Sequence, residues 1–363
     1  MVRVDATELI AKYECTRCHE VPKVAAAVRD KHCVACHRQI LDGTFAAEPE
    51  RLAKWRGRIT SLTDVPSLAG ADRLRRAWVR DFLLRPHDVR PELVAEMPRL
   101  ALAPADAEKL AGHLVPEDRA DPVDGDPAAG EQLFRNLGCA RCHRFTGASV
   151  DDTAMHATGA KQPAPLDRAW QLAPDLRYAR DRVQPAQLAA WIAAPRGLMP
   201  KLGVDDAQAR DLAAFLARTP LAALPPRPPA KRLPVLDRAV TWDEVEAKVF
   251  RNVCWHCHAV PDFARGDGGP GNSGGFGFAP RGLDVSSYTG IAAGSLDDEG
   301  ERRSIFAQLP DGTPRVVAHL LARHTEAAGG IVDGIRGMPL GLPPLPLEEI
   351  QLVETWIAQG RPR

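Results

Sequence analysis

Two cysteines separated by two residues and followed at once by a histidine recur in this sequence. This spacing suits covalent haem attachment, because each thiol adds to one vinyl group of the porphyrin and the histidine becomes the proximal iron ligand. The copies are Cys15-Thr16-Arg17-Cys18-His19, Cys33-Val34-Ala35-Cys36-His37, Cys139-Ala140-Arg141-Cys142-His143 and Cys254-Trp255-His256-Cys257-His258. Together they use all 8 cysteines of the chain. The sequence therefore predicts four covalently attached haem c groups, with His19, His37, His143 and His258 as proximal iron ligands.

Zinc is the main alternative ligand for the two N-terminal motifs. Residues 19–32 separate Cys18 from Cys33, and this spacer is slightly shorter than that of a usual zinc ribbon. The motifs that begin at Cys139 and Cys254 have no second cysteine pair nearby with which to complete a tetrahedral site. A histidine also follows every pair, which a zinc ribbon does not require. Haem attachment is therefore the favoured interpretation of all four motifs.

Three methionines are candidates for the second axial position on the iron. Met97, Met199 and Met338 are each followed by proline, and each precedes a helical pattern. A buried thioether favours ferrous iron, and proline fixes the backbone of the loop that carries it. Methionine usually fills cores, but three Met-Pro pairs in the same relation to a haem motif favour ligation. We expect Met199 to pair with His143 and Met338 to pair with His258.

The ligands of the two N-terminal haems are less well determined. The separation of Met97 from His37 resembles that in the second repeat, whereas its separation from His19 resembles that in the third. The helical pattern before Cys15 slightly favours the pair of His19 with Met97. The haem of His37 then needs another sixth ligand. The candidates, in order of preference, are His87, His32 and His113, the last of which is better explained as a packing residue. An iron without a protein ligand on that side is a further alternative.

The composition favours a helical, exported protein. Of 363 residues, 45% are apolar and only 6% are aromatic, and alternating β-strand patterns are scarce. With 47 basic and 47 acidic residues the net charge is +0, so neither nucleic acid nor an anionic membrane is an expected partner. No apolar run is long enough to span a bilayer. Thioether attachment takes place outside the cytoplasm, so we expect a periplasmic or otherwise exported protein, although Met1–Ala6 lacks the apolar segment of a signal peptide.

A repeated order of elements divides the chain into three parts. Each part has a helical pattern, a haem motif, another helix, a Met-Pro pair and a terminal helix. The acidic, proline-bearing residues 119–127 and the proline-rich residues 221–240 are expected to be linkers. The expected domains are residues 1–118 with two haems, residues 128–220 with one and residues 241–363 with one.

This order of elements resembles the class I c-type cytochrome domain, three times in a row. The attachment motif, the Met-Pro pair and an aromatic-bearing terminal helix carry the resemblance. The extra motif in the first part and the glycine-rich loop of residues 266–282 in the third depart from it. The resemblance implies an all-α fold of three tandem cytochrome c-like domains, the first carrying two haems. It also implies single-electron transfer between other redox proteins, such as a membrane respiratory complex or a soluble cytochrome.

Two other functions are compatible with the same motifs. A multihaem peroxidase- or reductase-like enzyme would have an open iron at the His37 haem. A subunit through which electrons enter a larger respiratory complex would copurify with that complex. Carbon monoxide binding to about one haem in four would indicate the enzyme rather than the carrier. Because no paired carboxylates or activated nucleophile are evident, an electron carrier is favoured over an enzyme.

Overall fold

The computed structural model describes residues 5–27, 32–57, 59, 63–91, 93–94, 96–119, 122, 124–151, 164–225, 228, 230–258, 282–297 and 299–363. These residues are mostly helical, as the sequence predicts. No helix among them is long and apolar enough to cross a membrane. The chain forms two compact units. The first comprises residues 1–69, 95–101 and 228–363, and the second comprises residues 70–94 and 102–227.

The α-helices of the described residues are, in chain order, α1 (Ala6–Lys12), α2 (Cys33–Asp42), α3 (Pro49–Arg56), α4 (Arg76–Leu84), α5 (Pro104–Leu114), α6 (Pro127–Asn136), α7 (Ala164–Leu172), α8 (Ala179–Arg182), α9 (Pro185–Ala193), α10 (Asp206–Arg218), α11 (Trp242–Val245), α12 (Trp255–His258), α13 (Tyr288–Ala293), α14 (Arg315–Ala327) and α15 (Leu347–Ala358). Shorter 3-10 segments are Cys15–Arg17, Leu68–Arg73, Cys139–Arg141 and Leu176–Tyr178, and a π-helical segment, Glu246–Cys254, joins α11 to α12. Strands β1 (Ser295–Leu296) and β2 (Arg302–Arg303) pair in antiparallel fashion.

The largest apolar core of the first unit is built on α14, α15 and the segment that leads to Cys254. Val317 of α14 and both Val353 and Trp356 of α15 are fully buried in it. The last two are three residues apart, so one face of α15 turns inward. Cys254 and Met338 pack against this same core. One apolar core therefore supports both a haem motif and a Met-Pro segment.

The helical segment before Cys254 begins at a side-chain cap, Thr241. The hydroxyl oxygen of Thr241 accepts a hydrogen bond from the Glu244 N–H at 3.4 Å. The Glu244 carboxylate pairs with Arg238 and Lys248, and hydrogen bonds from these two cations lower the pKa of Glu244 to about 2. Local side chains thus fix where this segment starts.

The core of the second unit packs α6 against α10, with α9 alongside α10. The ring of Phe134 on α6 lies 5.5 Å from that of Phe215 on α10 and 6.1 Å from that of Phe145. Gly130 lets the two helices approach, because a Cβ atom there would lie 2.1 Å from the Asp211 carbonyl oxygen.

A second helix pair completes this unit. Helices α4 and α5 pack through Val79, Ala111 and Val115. Leu74, just before α4, forms an antiparallel bridge with Val183, just before α9. The compact units therefore group α4 and α5 with α6 to α10, whereas the boundaries expected from the sequence group them with residues 1–118. The domain boundaries expected from the sequence stay a prediction.

Candidate haem-attachment sites

The motifs Cys15–His19 and Cys139–His143 share one local fold. The residue before the first cysteine has a left-handed backbone, with φ of 49° at Glu14 and 68° at Gly138. The next three residues form a 3-10 turn. The histidine N–H then donates to the carbonyl of the first cysteine, at 2.9 Å for His19 and 3.0 Å for His143. One compact turn thus carries two thiols and an imidazole.

A proline carbonyl orients the imidazole in both of these motifs. The Nδ1 atom of His19 lies 2.8 Å from the Pro66 oxygen, and that of His143 lies 2.8 Å from the Pro174 oxygen. When Nδ1 donates this bond, Nε2 keeps its lone pair, which is how protein carbonyls commonly orient metal-binding histidines. Burial lowers the pKa of His19, which favours the neutral ring that a metal requires.

The other two motifs have helical geometry. Cys33 begins α2, and the Nδ1 atom of His32 caps that helix by accepting the Ala35 N–H at 3.1 Å. Cys254 ends the π-helical segment, and His258 ends α12. The buried Nδ1 atom of His258 has no hydrogen-bond partner among the described residues. Residues 259–281, which include most of the glycine-rich loop, lie outside the described part.

Most of the motif thiols are held as neutral groups. Burial raises the pKa of Cys139 to about 11 and that of Cys254 to about 12. Cys18 and Cys33 are hydrogen-bonded to each other, which raises the pKa of the Cys18 thiol and lowers that of Cys33 to about 7. The first two motifs are therefore in direct contact. Within the described ranges, no group of three or more His, Cys, Asp or Glu side chains is arranged to hold a metal ion.

An apolar cavity in the second unit brings a complete set of predicted haem residues together. Its volume is about 370 Å³, and its wall includes Cys139, Cys142, His143 and Met199. The remaining lining is largely apolar, with Phe134, Leu172, Leu188, Ile192, Leu212 and Leu216 among its residues. Ligand sites in proteins are characteristically concave and apolar with few polar groups, and this cavity has that form. The thiols, the imidazole and the thioether suit a haem bound through two thioether links and two axial ligands.

The two other predicted methionine ligands lie in the first unit. The Met338 N–H donates to the His319 carbonyl oxygen at 2.9 Å. The segment containing Met97 is held through Arg99, whose Nε atom lies 2.7 Å from the Glu326 carboxylate. The Glu326 carboxylate also accepts the N–H of Gly337, next to Met338, at 2.8 Å. One buried carboxylate thus holds both Met-Pro segments of this unit.

The predicted histidine alternatives fall in different surroundings. His87 belongs to the second unit, where its ring lies against those of Trp78, Phe82 and Tyr178 at centroid distances of 5.2–5.6 Å. His113 is an exposed residue of α5 in that unit. His32 and His37 belong to the first unit. The pairing of His87 with the His37 haem stays a prediction.

Sequence reasoning missed the polar residues of the cavity wall, which are Arg73, Asp175, Tyr178, Arg182 and Arg196. No motif marks them, and arginines are frequent in this chain. Arg73 is also far from Cys139 in sequence, and it reaches the cavity only because residues 70–94 belong to the second unit.

In the second unit, a Cys-x-x-Cys-His turn and a Met-Pro segment thus share one apolar cavity. A family model described as cytochrome c matches residues 127–220. This match supports a c-type cytochrome, which is a haem-containing electron-transfer protein. A search of curated proteins found no match. A search of solved structures found none either.

Proposed function

We propose that this chain is an exported tetrahaem c-type cytochrome that carries single electrons between redox proteins. The observation that supports this best is the cavity of the second unit. There Cys139, Cys142, His143 and Met199 meet on an apolar surface, within the residues that the cytochrome c model matches. The motif recurs three more times and accounts for all 8 cysteines. We infer three cytochrome c-like domains, the first with two haems.

In the second unit, the residues of the cavity would hold a haem and exclude water. A bound haem supplies a one-electron iron couple. Cys139 and Cys142 would anchor it, His143 would provide a nitrogen ligand kept in orientation by the Pro174 carbonyl, and Met199 would provide a sulfur ligand. The apolar lining disfavours the more highly charged ferric state, and the thioether does the same, so both raise the reduction potential.

The same roles extend to the other three motifs. His258 pairs with Met338, and His19 pairs with Met97. For the haem of His37 we retain His87 and then His32 as sixth ligands, with an open iron as the enzymatic alternative. The contact between Cys18 and Cys33 supports two haems close enough for rapid electron exchange.

The proposed partners are other redox proteins, either a membrane respiratory complex or a soluble cytochrome in the periplasm. The net charge of the chain is +0. A neutral molecule is steered weakly by charge, so docking is expected to be transient and only weakly salt-dependent.

Replacing Met199 with alanine tests the ligand assignment. The thioether-to-iron absorption band should lose about a third of its intensity, because three haems are proposed to have methionine ligands. One redox component should fall by more than about 59 mV, which is tenfold in the equilibrium constant of a one-electron couple. Leu198→Ala is the matched control, since Leu198 lines the same cavity and has no ligand atom. An unchanged band in Met199→Ala would show that the sulfur does not bind iron.

A further inference from the structure

Two arginines of the second unit are brought together by backbone pairing across its haem cavity. The Arg75 N–H donates to the Arg182 carbonyl oxygen, and the Gln184 N–H donates to the Arg73 carbonyl oxygen, both at 2.9 Å. The antiparallel bridge between Leu74 and Val183 lies between these two bonds. Arg73 therefore reaches the cavity from a segment outside residues 127–220, whereas Arg182 reaches it from inside them.

Gln184 fixes the backbone pairing of residues 73–75 with residues 182–184. Its side chain is 5% exposed, and its Nε2 atom donates to the carbonyls of Asp72, Leu74 and Glu117 at 2.7–3.0 Å. Its Oε1 atom accepts the Arg119 N–H at 3.2 Å. A buried amide with this many bonds holds the segments around it in one arrangement, because losing any partner leaves a buried polar group unpaired.

The two arginines bring positive charge to a largely apolar wall, which Asp175 and the exposed Arg196 also line. The Arg73 guanidinium lies 5.5 Å from the ring centre of Trp191, which also lines the cavity, and donates to the Gly70 carbonyl. The Arg182 side chain is half-buried, and the charge of Asp88, which is paired with Arg90, stabilises its cation only in part. Burial, together with the neighbouring charges of Arg73 and Arg90, lowers the pKa of Arg182 to about 10. A cation in such surroundings is stabilised by an anion that the protein itself does not provide.

The nearby carboxylates are already engaged elsewhere. Asp88 pairs with Arg90 through both of its oxygens. Asp175 lines the cavity, but its carboxylate accepts the N–H groups of Thr146 and Arg177. Arg73 and Arg182 are thus left without a carboxylate in salt-bridge contact among the described residues, whereas Arg196, the third arginine of the wall, is exposed.

We propose that Arg73 and Arg182 bind the two carboxylates of a haem held at Cys139 and Cys142. This inference rests on the proposed function, because it requires a haem in the cavity. A haem carries two propionate groups, and guanidinium groups bind carboxylates through charge-assisted hydrogen bonds. Residues 70–94 are then part of the haem site rather than a neighbouring domain. Arg73 and Arg182 also raise the reduction potential, since a nearby cation disfavours ferric iron.

Redox titration of the full-length holoprotein tests this pair. In the double variant Arg73→Gln/Arg182→Gln, one of four components should move to lower potential by about 59 mV, a tenfold change in its equilibrium constant. Each single variant should lower the potential of the same component by a smaller amount. Arg210→Gln removes an exposed cation of the same unit that does not line the cavity, and it should leave all components unchanged.

The charge-conserving variant separates a bound carboxylate from a structural effect. The reduction potential of the affected haem should be closer to that of the unsubstituted protein in Arg182→Lys than in Arg182→Gln. A shift as large in Arg182→Lys as in Arg182→Gln would overturn the proposal, as would unchanged potentials in the double variant with four haems attached. In both cases the proposed function would stand. Absence of haem from Cys139 and Cys142 in the unsubstituted protein would instead contradict the proposed function itself.

Discussion

Replacing both Cys139 and Cys142 with alanine should remove one haem in four and unfold much of the second unit. The haem would fill a cavity of about 370 Å³. An empty cavity costs about 24 cal/mol per Å³, so leaving this one empty would cost at most roughly 9 kcal/mol. That figure is comparable with the whole stability of a typical domain, about 5–15 kcal/mol. Haem absorbance per chain and the helical circular dichroism signal measure the two effects.

The matched control for this variant is Cys254→Ala/Cys257→Ala. It should also lose one haem in four, but the second unit should keep its helical signal, because these cysteines belong to the first unit. Limited proteolysis followed by peptide mapping shows which unit has opened. The prediction fails if Cys139→Ala/Cys142→Ala keeps all its haem, or if it loses haem without any loss of structure in residues 127–220.

Replacing Glu326 with alanine should destabilise the first unit by about 3–5 kcal/mol, the usual cost of breaking a buried ion pair. Glu326 is 4% exposed and Arg323 is 2% exposed. The Glu326 carboxylate lies 2.7 Å from Arg99 and 3.6 Å from Arg323, and removing it leaves both cations without this anion. Denaturant unfolding of the holoprotein, followed by a signal from the first unit, gives the change in the free energy of unfolding.

The same variant should disturb iron ligation, because Glu326 holds the segments of both Met97 and Met338. The thioether-to-iron absorption band should therefore weaken along with stability. Glu244→Ala is the control, since Glu244 forms an ion pair at the surface and should contribute less than about 1 kcal/mol. Equal losses of stability in the two variants would show that the buried network has no special role.

Local patterns in the sequence predicted the terminal helices well. The closing helices of the second and third parts are observed as Asp206–Arg218 and Leu347–Ala358. The cap at Asp205 is a capping box, with bonds of 2.8 Å and 3.0 Å to Gln208. These features depend on residues within one or two turns of each other, so a single sequence contains them.

Contacts between distant residues could not be predicted in this way. Gln184 joins residues 72–74 and 117–119 to the second unit through its side-chain amide, and nothing in a local pattern marks a glutamine for that role. The same holds for the arginines at the cavity. Arg73 and Arg182 become neighbours only through the bridge between Leu74 and Val183.

The proposed haem ligands likewise divide into those that the sequence repeat predicts and those that it does not. His143 and Met199 were paired from the repeated order of elements, and the structure places both on one cavity wall. The sixth ligand of the His37 haem has no such repeat to follow, and three histidines remain candidates for it. A position that breaks the repeat has to be assigned from iron spectroscopy, because repetition supplies no information there.

The central claim is that all four motifs carry haem, and the mass of the denatured full-length protein tests it most directly. Thioether links survive denaturation, so each attached haem adds its whole mass to the chain. The haem-loaded protein should have the mass of the polypeptide plus four haems, with no free thiol left to alkylate. A chain with fewer than four haems and alkylatable cysteines, or one whose native form holds zinc in place of haem, would contradict the account.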